Sequence, residues 1–117
     1  MKRILVVEDD PIVRRVYHET LTRAGFQVEV AVDGEEALAV LLVFEPEGVV
    51  LDYMLPKVNG LEVLKRIREY PEYKNVPVFI LSNMCIPQLV DEAKAAGASG
   101  VLDKASFSPQ YLVMALK

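Results

Sequence analysis

The sequence predicts an α/β fold in which a parallel sheet is covered by helices on both faces. Three observations predict it. Short runs rich in β-branched residues alternate with helical patterns at close spacing. Several of those runs are continuously apolar, as strands buried on both faces are. Apolar residues make up 52% of the chain and the mean hydropathy is +0.24, above the ordinary range for a globular domain. At 117 residues the chain is expected to form one domain, residues 1–117, with no room for a second catalytic or DNA-binding domain.

Strands are expected at about 3–8, 26–31, 47–52, 76–81 and 99–102, with helices in the gaps and one at the end, five of each. The first strand, Ile4-Leu5-Val6-Val7, leads into a helix whose inner face is expected at Val13, Val16 and Thr20 and which Gly25 ends. After the second strand, Asp33 with Glu36 reads as a capping box, and the second helix carries Leu38, Leu41 and Leu42 as core residues with Val40 and Val43 in addition. The third strand holds Val49-Val50-Leu51; Pro56 to Gly60 then forms a turn, and Tyr70 to Pro77 a loop with two prolines. The fourth strand is Val78-Phe79-Ile80-Leu81. Beyond it Ile86, Leu89, Val90 and Ala93 repeat at helical spacing until Gly97 stops the helix. The fifth strand contains Val101-Leu102, and Ser108-Pro109 caps the last helix. That helix, Tyr111 to Leu116, is apolar nearly all round; a partner surface, a longer native chain and plain scatter each account for it.

Charge and targeting signals narrow the function classes. Net charge is −4 and the basic residues are scattered, so neither a nucleic-acid footprint nor a polybasic membrane segment is expected. The longest apolar stretch, Ala37 to Phe44, is bounded by Glu36 and Glu45 and is too short to span a bilayer. The run after Met-Lys-Arg is too short for a signal peptide and ends in acids, and the lone Cys85 cannot form an internal disulfide. A cytoplasmic protein is expected. Neither G-x-x-x-x-G-K nor G-x-G-x-x-G occurs, so no nucleotide loop is present.

Four polar sites follow four of the strand runs: Glu8-Asp9, Asp52, Ser82 and Lys104. Parallel strands present their carboxyl ends at one edge, where open α/β sheets bind ligands. Each site alone has an ordinary reading, as a helix-capping acidic cluster, a turn acid, a loop hydroxyl or a surface amine. Together they suit a divalent cation beside a phosphoryl group, because crowded carboxylates repel one another and a hard cation with oxygen ligands relieves them.

Val6-Val7-Glu8-Asp9-Asp10-Pro11, Leu51-Asp52-Tyr53-Met54-Leu55-Pro56, Gly60, Leu81-Ser82 and Asp103-Lys104 resemble the receiver domain of two-component response regulators, and the resemblance covers the whole chain. It implies a flavodoxin-like, doubly wound five-stranded sheet in the order 2-1-3-4-5. It implies that Asp52 accepts a phosphoryl group from a phosphohistidine on a sensor histidine kinase or phosphotransfer protein, in a reaction needing Mg2+, for which Mn2+ can substitute. Asp9 and Asp52 would ligate the metal directly, Met54 through its backbone carbonyl and Glu8 through a bound water, while Asp10 starts the first helix. Lys104, the Ser82 hydroxyl and the amides of Tyr53 and Asn83 would contact the phosphoryl group. The output would be binding to an unidentified downstream protein, through the fourth helix, fifth strand and fifth helix, by a monomer or weak dimer. Self-phosphorylation and slow self-dephosphorylation would be its only chemistry, so the chain would not be an enzyme with turnover.

The sequence departs from the family at several positions. Val101 stands where most receivers carry a switch aromatic, and Ala105 where a cis-proline follows the lysine; a trans bond is expected there. Met54 and Met84, two positions after Asp52 and Ser82, cannot orient hydrolytic water by strong hydrogen bonds. His18 is expected to be exposed and idle, and Cys85 to be a small buried or loop thiol. Two rival functions remain: a pseudo-receiver that binds a partner constitutively, and an aspartate-nucleophile phosphohydrolase, which would need an acid where Met54 stands.

Overall fold

A computed structural model describes residues 2–117. Its elements are β1 (Arg3–Val7), α1 (Pro11–Arg23), β2 (Gln27–Ala31), α2 (Gly34–Phe44), β3 (Gly48–Asp52), α3 (Gly60–Arg68), a short 3-10 turn (Pro71–Tyr73), β4 (Val78–Ser82), α4 (Pro87–Ala95), β5 (Gly100–Asp103) and α5 (Pro109–Leu116). All strand pairs are parallel and the order is β2-β1-β3-β4-β5, the order the resemblance implies.

Neighbouring residues of a strand face opposite sides, so β1, β3 and β4 each supply two cores. Ile4, Val6, Val50, Phe79 and Leu81 meet Tyr17 and Leu21 of α1 and Leu112, Val113 and Leu116 of α5. Leu5, Val7, Val49, Leu51 and Ile80 meet Ala37 and Leu41 of α2, Val63, Leu64 and Ile67 of α3, and Ala93 of α4. This two-sided burial explains the unbroken apolar runs. Edge strand β2, with Gln27 and Glu29 exposed, alternates instead.

The helix ends follow their residues. Asp10 caps α1 by accepting from the N–H groups of Ile12 and Val13, Asp33 caps α2 through the Glu36 N–H, and Ser108 caps α5 through the Gln110 N–H. The Glu36 carboxylate accepts from the Val32 N–H at 3.1 Å, one residue earlier than a capping box places it. Gly25 (φ 98°) and Gly97 (φ 103°) turn the chain out of α1 and α4 in a conformation that side chains with a Cβ disfavour.

Several expectations are corrected. β2 to β5 begin one or two residues later than read, β1 ends at Val7 rather than at residue 8, and β4 and β5 extend to Ser82 and Asp103 because the ladder pairs those two residues. On α1 the buried line is Tyr17 and Leu21 with Val13 beside it, four residues apart; Val16 is 43% exposed and His18 is half-buried rather than exposed. On α2 the buried line is Ala37 and Leu41, and Leu42 and Val43 turn to solvent because each residue rotates about 100° round the axis. Ile86 caps α4 from outside and is exposed. On α5 Leu112, Val113 and Leu116 are buried while Tyr111 and Met114 are exposed, so its apolar composition is largely explained by the core. The loop from Tyr70 to Pro77 contains the 3-10 turn, whose Tyr73 is buried and donates its hydroxyl to the Leu41 carbonyl at 2.9 Å. The Lys104–Ala105 bond is trans, as expected. No described helix is long and apolar enough to cross a membrane.

Candidate functional site

The strand register brings the four polar sites level. Val7 pairs with Leu51, Asp52 with Leu81, and Ser82 with Asp103, so Glu8, Asp52, Ser82 and Lys104 emerge at one edge of the sheet. Glu8, Asp52 and Ser82 are the buried polar residues of the described chain, at 1%, 4% and 2% exposure, whereas Asp9 is exposed at the rim.

Lys104 lies between the acids, its ammonium 2.7 Å from Glu8 Oε1 and 3.3 Å from Asp52 Oδ2. Burial works against its charge, but the hydrogen bond it donates to Glu8 and the neighbouring Asp52 outweigh it and hold its pKa above the ordinary lysine value. Glu8 goes the opposite way for an acid: burial pushes its pKa up to about 7, with the Lys104 hydrogen bond opposing the rise and the Asp52 charge adding to it. One ammonium thus faces more carboxylate than it can neutralise. Carboxylate oxygens of Glu8, Asp9 and Asp52 lie within 4.8 Å of one another, an all-oxygen donor set that fits a hard dication.

Loops complete the site. Lys104 N–H donates to the Ser82 carbonyl at 2.9 Å, tying the loop after β5 to the end of β4. The Ser82 hydroxyl is turned into its own loop, donating to the Met84 carbonyl at 3.1 Å and accepting from the Met84 N–H at 3.0 Å. The Tyr53 N–H, one of the expected donors, donates to the Leu81 carbonyl at 2.8 Å, just past the last β3–β4 pair, Asp52 with Leu81. The N–H that faces the Asp52 carboxylate is that of Met54, at 3.4 Å. Asp10 points away as the α1 cap, as expected. Met54 and Met84 are 69% and 66% exposed, and Ile86 with Leu89 continues their apolar wall. Cys85 is a loop thiol and exposed rather than buried, its pKa raised chiefly by partial desolvation.

The turn after Asp52 depends on close backbone approach at Gly60, whose N–H donates to the Tyr53 carbonyl at 2.8 Å. A Cβ there would meet the Asp52 carbonyl oxygen and lie 2.8 Å from Tyr53 Cα, neither of which can swing aside. Gly60→Ala is therefore expected to cost about 2 kcal/mol or more in urea unfolding. Wild-type stability in that variant would mean the turn yields freely.

Sequence reasoning missed two supports of the site. Arg14 donates from α1 to the carbonyls of Glu8 and Asp9, and Lys57 (φ 68°) pairs with Asp33 at 3.6 Å and Glu35 at 3.8 Å across to α2. Neither residue type has a local pattern that foretells such a bond.

A model of the response regulator receiver domain matches residues 4–117. The chain belongs to this family. Among solved receiver-type structures, Vibrio cholerae chemotaxis protein CheY4 is 35% identical with a TM-score of 0.92, covering 99% of this chain and 96% of that one. The receiver domain of sensor histidine kinase PA1611 from Pseudomonas aeruginosa PAO1 is 25% identical with a TM-score of 0.87, covering 98% and 93%, and holds a magnesium ion in its active-site cleft. The DNA-binding transcriptional regulator RpaA of Synechocystis is 35% identical over 106 residues, 89% of this chain but 43% of that protein. This receiver chain thus spans less than half the length of that curated relative.

Proposed function

We propose that this receiver chain is a phosphorylation-dependent signalling module that takes a phosphoryl group onto Asp52 from a phosphohistidine of a sensor histidine kinase or phosphotransfer protein, in the cytoplasm. The observation that carries the reading is the Lys104 ammonium shared between Glu8 and Asp52 beside three converging carboxylates. Asp9, Asp52 and the Met54 carbonyl would hold Mg2+ or Mn2+, with Glu8 behind them; when bound, the ion supplies positive charge for the phosphoryl oxygens.

An Asp52 carboxylate oxygen attacks phosphorus in line; the O–P bond forms as the donor's N–P bond breaks, and the imidazole leaves with the electron pair. Lys104 exchanges its Asp52 contact for a phosphoryl oxygen. The N–H groups of Met54 and Asn83 donate to the other oxygens. The Ser82 hydroxyl joins them only by giving up its donation to the Met84 carbonyl, which loosens the loop between β4 and α4. With Val101 in place of an aromatic, that loop carries the conformational signal to the binding surface of a downstream protein.

Incubation with magnesium and a small phosphodonor is expected to add the mass of one phosphoryl group to the intact protein. No added mass favours the constitutive pseudo-receiver, for which Val101 speaks; steady release of phosphate favours a phosphohydrolase. The exposed Met54 offers hydrolytic water no strong hydrogen bond, so the aspartyl phosphate is expected to be long-lived. Met54→Asn should shorten its lifetime on the order of tenfold, read as decay of the added mass. Equal decay in the variant and parent would remove Met54 from the account.

A further inference from the structure

We propose that Arg14 is a positioning residue for the cation site, holding the turn that presents Glu8 and Asp9; the inference rests on the metal reading above. Arg14 lies on α1, half-buried, and forms no ion pair with any carboxylate among the described residues. Its charge is directed at main-chain oxygens instead: Nη1 donates to the Glu8 carbonyl at 3.0 Å and reaches the Asp9 carbonyl at 3.4 Å. The rest of this turn is tied at its N–H groups, Glu8 N–H to the Ala31 carbonyl at 3.0 Å and Asp10 N–H to Glu8 Oε2 at 3.2 Å. Arg14 supplies the complementary tie on the carbonyl side, on the two consecutive residues whose carboxylates converge with Asp52.

Nη1 carries two N–H bonds in the fixed guanidinium plane, enough for both carbonyls, and fixing them restricts the peptide plane between Glu8 and Asp9. The rim acid Asp9, exposed and free to turn otherwise, is thereby kept where its carboxylate faces Asp52. Electrostatics alone predicts the reverse effect of removing Arg14. A positive charge near a cation site repels the cation, so its loss should tighten binding. Positioning predicts that its loss weakens binding, and the two accounts differ in sign.

The test is Mn2+ binding followed by electron paramagnetic resonance on the whole chain, with Arg14→Met, Arg14→Lys and Asp9→Asn beside the parent and melting in chelator as a separate measure of folding. Arg14→Met is expected to bind Mn2+ about tenfold more weakly, at the lower end of what loss of an outer-shell support costs. Arg14→Lys, which keeps the charge on a stem one bond shorter than the reach to Nη1, should lose less in the same direction and covers the case in which Arg14→Met does not fold. Parent affinity or tighter binding in both folded variants overturns the proposal. If the parent binds no Mn2+, or Asp9→Asn binds as the parent does, the metal reading itself fails. If the parent binds through Asp9 and Arg14 variants bind equally well, only the role of Arg14 is lost.

Discussion

Asp52→Asn is expected to take up no phosphoryl group under conditions in which the parent gains one. Asparagine matches aspartate in shape, so the sheet end and turn should be kept, but its amide is not a nucleophile towards phosphorus. Other carboxylates are poor substitutes. Glu8 is 1% exposed and hydrogen-bonded to both Lys104 and the Asp10 N–H, while Asp9 lies at the rim. The same change should ease the crowding of charge in the cleft. The Asp52 charge is one cause of the raised Glu8 pKa, so in Asp52→Asn Glu8 should ionise at lower pH. Intact mass after incubation with a small phosphodonor and magnesium reads the first effect, and carboxyl titration by NMR the second. Equal mass gain in the variant would move the acceptor to another residue and end the present assignment.

Lys104→Met should slow phosphorylation by about 10²–10³-fold, the usual cost of removing one preorganised donor from a developing anion. At about 4 Å and an effective dielectric near 20, an ammonium attracts a unit anion by roughly 4 kcal/mol before desolvation is counted. The fold should also suffer, in a way that depends on pH. Without Lys104, Glu8 is a buried acid lacking its counter-charge, and stripping one partner from a buried pair typically costs about 3–5 kcal/mol. Protonation relieves this. The folded-state pKa of Glu8 is already raised from 4.5 to about 7, so its contribution to stability is fully present below the unfolded value and is lost as pH rises through the folded one. Lys104 holds that pKa down, so the variant's value should be higher still. In chelator, then, Lys104→Met should lie near the parent in stability at pH 5 and well below it at pH 8, and adding Glu8→Gln should recover stability at pH 8 without recovering phosphorylation. A variant equally stable at both pH values relative to the parent would mean that Glu8 finds another partner.

Much of this receiver fold was legible because its signals are local. Unbroken runs such as Ile4 to Val7 and Val78 to Leu81 can be buried only by cover on two sides, and Asp33, Ser108, Gly25 and Gly97 mark helix ends through backbone geometry. Helix faces were less legible where apolar residues outnumber the buried positions. On α2 a run from Ala37 to Phe44 does not say which stripe turns inward, and packing against β1 and α3 selects Ala37 and Leu41 over Leu42 and Val43.

The chain order of residue types specified the strands, their parallel arrangement by alternation with helices, and the presence of acids, a hydroxyl and an amine after separate strands, since each of these depends on neighbours a few positions away. Tertiary structure alone decided which groups touch. It gave the Tyr53 N–H to the sheet and left that of Met54 facing Asp52, folded the Ser82 hydroxyl back onto Met84, and brought Arg14 to the carbonyls of Glu8 and Asp9. Lys104 meets Glu8 across 96 positions of chain. The reason is that a hydrogen bond is fixed within a few tenths of an ångström by strand register and loop path, and those are settled only when the whole core packs.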